Sequence, residues 1–161
     1  MLIARRAANT TTESRRLSST DRVIVSFLVL VFGYAGLDKL AHFSGFVTAI
    51  DSYRFFPIPL GWLVAPFVIA AELTVAVGLM EARWRRAAAL QAAILVLAFS
   101  LALALNEALG GEKVCGCWFS LNLAPGHLHL ALNGLLFLLS LAIWHASDFR
   151  PGKPGPPTQG Y

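Results

Sequence analysis

Charge is scarce in this chain of 161 residues: only 14% are Asp, Glu, Lys or Arg, and just nine of those are acidic. With 57% hydrophobic residues and a mean hydropathy of +0.64, that scarcity excludes an ordinary soluble domain. Regularly recurring polar positions are missing as well. An amphipathic soluble bundle shows one every third or fourth residue, yet Leu128 to Ile143 is interrupted only by His129, Asn133 and Ser140. So few polar side chains in the apolar runs argue against a transporter, which needs a lined path. No internal repeat is evident, and cysteine is confined to Cys115 and Cys117.

What is present are four stretches long enough to cross a bilayer, at about 23–41, 60–80, 87–109 and 128–146. Backbone groups in lipid must be satisfied within their own segment, so these Leu, Ala and Val runs are expected to be helices. The predicted fold is an all-α integral membrane four-helix bundle over residues 22–147. A disordered, Ser-, Thr- and Arg-rich tail precedes it at 1–21, with Ser19, Thr20 or Asp21 as candidate helix caps, and a Pro- and Gly-rich tail follows at 148–161. Ser14-Arg15-Arg16 faintly resembles an export signal, but the apolar run is long and no clean cleavage site follows.

Lys and Arg set the orientation, because cytoplasmic flanks carry the positive excess. Arg5, Arg6, Arg15, Arg16 and Arg22, then Arg83, Arg85 and Arg86, then Arg150 and Lys153 fall on one side; Lys39, Arg54 and Lys113 fall on the other. Both termini are therefore expected in the cytoplasm of a multi-pass inner-membrane protein, and the loops 38–59 and 110–126 on the periplasmic or extracellular side. Topology accounts for the net charge of +4, so no nucleic-acid partner is inferred. Phe55-Phe56-Pro57-Ile58-Pro59 reads as an interfacial segment, and Pro66 falls early in the second span.

Cys115-Gly116-Cys117 lies in the last outer loop, where disulfides persist. Gly116 permits the backbone to close a tight ring, and the strain of such a ring makes it more reducible than a structural bridge. As a staple it would remove little chain entropy. A redox-active pair is therefore the leading reading, with Lys113 and His127 as minor electrostatic aids. Metal binding is the alternative: Cys115, Cys117, His127 and His129 offer two thiolates and two imidazoles for zinc or copper, although His-x-His at a helix start points to different sides. Trp118 and Phe119 serve either as an interface anchor or as a cover for the pair.

Within the membrane, Glu72 is a functional candidate by default. It lies about 18 Å from the outer end of its span, and Lys39, the basic partner, is placed roughly 10 Å nearer the surface by helical rise. Ser100, Asn106 and Asn133 add polar contacts toward the outer half.

Gly36-Leu37-Asp38-Lys39-Leu40, Glu72-Leu73 and Cys115-Gly116-Cys117 together resemble the MauE family of methylamine-utilisation membrane proteins, within the broader DoxX-like group. After the second cysteine many such sequences run into Phe-Gly; here Trp118-Phe119-Ser120 follows. The resemblance implies a redox-associated protein that works with a thioredoxin-like periplasmic partner to mature a disulfide-containing client, which for MauE is the small subunit of methylamine dehydrogenase. Related proteins of the DsbB and vitamin K epoxide reductase type pass electrons to quinone through two cysteine pairs. A chain with one pair exchanges directly with a partner's thiols, with quinone as the candidate acceptor, or with both. Lys39 and Glu72 would lend intramembrane polar support. The rival to catalysis is an accessory subunit that anchors a larger membrane oxidoreductase through small residues such as Gly33, Gly36, Ala87, Ala88 and Ala92.

Overall fold

The computed structural model describes residues 18–53, 60–110 and 126–147, the side chains of 126–129 excepted. Every regular element among them is a helix: α1 (Ser19–Ala41), α2 (Phe43–Asp51), α3 (Gly61–Met80), α4 (Arg85–Ala108) and α5 (Gly126–Ala146). By length and composition α1, α3 and α4 can each cross a membrane, and Leu130–Ala146 of α5 is a shorter apolar stretch.

The distribution of side chains is inverted relative to a soluble protein. Large apolar groups point outward on every long helix, among them Leu30 on α1, Phe67 on α3, Ile94 on α4 and Leu138 on α5, whereas Lys39, Glu72, Asn106, Asn133 and Ser140 are buried. Water would not tolerate that surface over four helices, and lipid does.

Local chemistry fixes the helix ends. Ser18, not one of the three residues expected from the sequence, precedes α1, and its backbone N–H donates to the Asp21 carboxylate at 3.1 Å. Across the tight turn between α3 and α4, Arg85 donates to Leu79 O at 3.0 Å and Met80 O at 3.3 Å, which satisfies carbonyls left over at the end of α3. Gly110, at φ 71°, closes α4 in the left-handed conformation that glycine adopts without strain.

Two apolar clusters build the interior. The larger joins Val25, Leu28 and Phe32 of α1, Val75, Ala76 and Leu79 of α3, Ala88, Ala89, Ala92 and Val96 of α4, and Leu136 and Ile143 of α5. The smaller joins Phe46, Val47 and Ile50 of α2 to Ala65 and Ile69 of α3. Small residues set the spacing: a Cβ on Gly36 would lie 2.9 Å from Leu73 Cδ2, and one on Gly78 would lie 2.9 Å from Ala88 Cβ.

Helix α2 is the departure from expectation, since the sequence predicts one outer loop over 38–59. Phe46, Val47, Ala49 and Ile50 form a buried face at helical spacing, but nine residues are too few to span. The helix turns back on α3 and ends beside its start, where the Asp51 carboxylate accepts from Gly61 N–H at 2.6 Å. That bond caps α3 from a different helix. Asp51→Ala is expected to cost about 1–2 kcal/mol through the lost cap, read as a lowered unfolding midpoint in detergent.

Candidate functional site

Glu72 occupies the seam between the two clusters. It lies between Ile69, which belongs to the smaller cluster, and Val75, which belongs to the larger one, on the same buried face of α3. Lys39 enters the seam from α1, and its Nζ donates to Glu72 Oε1 at 2.8 Å. The two side chains are 0% and 2% exposed, so the pair is wholly withdrawn from solvent and lipid.

Helix register explains a contact that rise arithmetic had set roughly 10 Å out of reach. Gly33 faces Ala76 and Gly36 faces Leu73, so α1 and α3 run antiparallel with Lys39 opposite Ala70, about 3 Å along the axis from Glu72. The first turns of α3 are covered by α2. A reading that ran α1 and α3 to a common outer surface therefore placed Lys39 too high.

Other groups complete the shell. The Lys39 ammonium lies 3.4 Å from Ala35 O, 5.5 Å from the ring centroid of Phe46 and 5.8 Å from that of Phe99. Four helices thus contribute to one charge, with α1 supplying the cation, α3 the anion, and α2 and α4 an aromatic face each. Beside the pair, Gln91 Nε2 of α4 donates to Ala71 O at 3.2 Å. Phe46, Phe99 and Gln91 were not foreseen. The apolar periodicity of 43–51 was the one available signal for Phe46; Phe99 and Gln91 carry none, because nothing in an apolar run marks which side faces a distant lysine.

Of the remaining candidates, Asn133 Nδ2 donates to Ser100 Oγ at 3.2 Å and ties α5 to α4, while Asn106 is buried near the C-terminal end of α4. Cys115, Cys117, Lys113, Trp118 and Phe119 lie outside the described residues. His127 and His129 fall on the first turn of α5, with their side chains also outside the description. A groove of about 430 Å³ between α3 and α4, lined by residues including Leu73, Gly78, Trp84 and Gln91, is separate from the ion pair and mainly apolar.

These features define an all-helical integral membrane protein whose packed interior holds one desolvated Lys–Glu pair. The profile of the family described as methylamine utilisation protein MauE matches residues 17–146, and the chain belongs to that family. It is 34% identical to methylamine utilization protein MauE of Paracoccus denitrificans over 135 residues, covering 83% of this chain and 72% of that one. The protein of the same name from Methylorubrum extorquens is 33% identical over 131 residues (73% and 68%), and that from Methylophilus methylotrophus 36% identical over 95 residues (56% and 48%). No solved structure matches the chain.

Proposed function

We propose that this protein is a membrane accessory factor of methylamine utilisation that performs thiol–disulfide exchange at the outer face of the cell membrane. Its client is a periplasmic disulfide-containing enzyme subunit, reached through a thioredoxin-like partner. One observation carries the reading: the chain's two cysteines, one glycine apart, fall inside the region that matches the MauE family, in the connection from α4 to α5.

The topology that goes with this reading has four spans, α1, α3, α4 and α5. Arg22 and the arginines 83, 85 and 86 lie on the cytoplasmic side with both termini, which leaves the cysteine connection in the oxidising compartment. In each cycle a partner thiolate attacks one sulfur of the Cys115–Cys117 disulfide and forms a mixed disulfide. Attack by the partner's second thiolate then releases both cysteines of this chain as thiols. Two electrons and two protons pass on to an acceptor of the quinone class, and the disulfide is restored.

The accessory-subunit alternative draws its support from small residues able to seat another protein. Gly33 and Gly36 face α3, and Ala88 and Ala92 are buried in the larger cluster, so these four positions serve the bundle itself, whereas Ala87 is exposed and lines the groove between α3 and α4. That favours exchange over anchoring. Membranes equilibrated across defined thiol-to-disulfide ratios and then alkylated are expected to show Cys115 and Cys117 titrating together as one two-electron couple. Single Cys→Ser variants should also trap a thiol partner as a mixed disulfide. A pair that stays oxidised throughout, with the double Cys→Ser variant fully supporting partner assembly, refutes the proposal.

A further inference from the structure

The two oxygens of Glu72 are not equivalent. Oε1 is held by Lys39 at 2.8 Å, whereas Oε2 is buried and accepts no hydrogen bond from any described residue. An anionic oxygen enclosed without a donor is destabilising, and more so at membrane depth. A tie between α1 and α3 does not require it, because apolar side chains of similar volume would hold the helices together without desolvating two charges. The surroundings of Lys39 add an independent observation. Ala35 O and the faces of Phe46 and Phe99 stabilise its ammonium whatever the charge on Glu72. Glu72 can therefore be neutralised without stranding its partner.

We propose that Oε2 of Glu72 is a proton-binding position inside the membrane, which takes up and releases one proton as the cysteine pair and its electron acceptor change oxidation state. The source of the proton rests on the exchange reading above. Oxidation of the Cys115 and Cys117 thiols makes one S–S bond and releases two electrons and two protons; a quinone reduced to hydroquinone consumes both. Glu72 holds one of those protons as a carboxylic acid, with the O–H on Oε2, until the acceptor takes it.

Lys39 is the single charged group in contact with Glu72 among the described residues. Asp38, its neighbour on α1, faces His42 with Oδ1 and Nδ1 3.2 Å apart, and Asp51 of α2 is engaged by Gly61. Gln91 and Phe99, which α4 presents beside the pair, are uncharged.

Infrared difference spectroscopy on the full chain in lipid tests this directly. Spectra are recorded between two pH values, and between oxidised and reduced protein in the presence of a short-chain quinone. A carboxylic C=O band is expected in both differences, lost in Glu72→Gln and displaced in Glu72→Asp, while the cysteine S–H band reports whether the couple cycles. If the S–H band changes and no band depends on Glu72, the proposal is overturned. If the S–H band is unchanged, the exchange reading has failed instead, and the pH difference alone decides whether Glu72 binds a proton. A Glu72 band that follows pH but ignores the S–H band overturns the coupling to oxidation state.

Discussion

Lys39→Ala lowers the stability of the purified protein by about 3–5 kcal/mol, the cost of leaving one member of a buried ion pair uncompensated. The size of the effect follows from geometry. Glu72 is 2% exposed, and among the described residues its only hydrogen bond comes from Lys39 and its second oxygen has no donor. Without the ammonium, the buried carboxyl group keeps no partner among the described residues and escapes the cost of its charge only by taking up a proton. Glu72→Ala is expected to cost less, because Lys39 keeps the Ala35 carbonyl and two aromatic faces. The double replacement Lys39→Met, Glu72→Leu should recover most of the loss, since apolar groups of similar volume fill the seam without desolvating a charge. Denaturant unfolding in detergent, followed by the fluorescence of the four tryptophans, supplies the free energies. If the double variant Lys39→Ala, Glu72→Ala is as unstable as the sum of the two single ones, the residues are not coupled and the seam depends on something other than their charge. A stable double variant would also let exchange activity be measured without the pair, which separates its structural from its chemical role.

The class of the protein was open to reading from sequence because lipid imposes a simple rule: runs of Leu, Ala and Val with almost no charge have to be helical. The partnership of Lys39 with Glu72 was open for the same reason, since a buried acid in an apolar run needs a base and few are present. What the sequence hid was the level at which they meet. That level depends on α2 covering the first turns of α3, and α2 is too short and too mixed in composition to stand out from a loop. Phe99 was hidden by the same uniformity that made the helices obvious. In an all-apolar helix the inward face is chosen by neighbours, and no polar stripe records it. The chemistry assigned to Cys115 and Cys117 still rests on residue type, spacing and family membership, while the ion pair rests on geometry.

Gly36→Ile should separate the two charges without touching either of them. A Cβ at this position would stand 2.9 Å from Leu73 Cδ2, 3.0 Å from Leu73 Cγ and 3.4 Å from Glu72 Cβ, and isoleucine adds three further carbons beyond it. Overpacking of this kind typically costs about 1–3 kcal/mol. Here it also pushes α1 away from α3 one turn below Lys39, so part of the pair's coupling is lost as well and the total should reach the upper end of that range. Alanine makes a graded control, because the side chain of Leu73 can swing aside for a single methyl group. Gly33→Ala makes a neutral one, its nearest neighbour being Ala76 Cβ at 3.8 Å. The decisive comparison adds Leu73→Ala to Gly36→Ile. Removing the obstructing side chain lets α1 return, so the double variant should be more stable than Gly36→Ile alone, even though Leu73→Ala on its own is destabilising. Equal destabilisation of Gly33→Ala and Gly36→Ile, or no rescue by Leu73→Ala, would mean that the close approach at Gly36 does not set the α1–α3 register. The level of Lys39 against Glu72 would then be fixed from the other side, by α2 and its Asp51 contact with the start of α3.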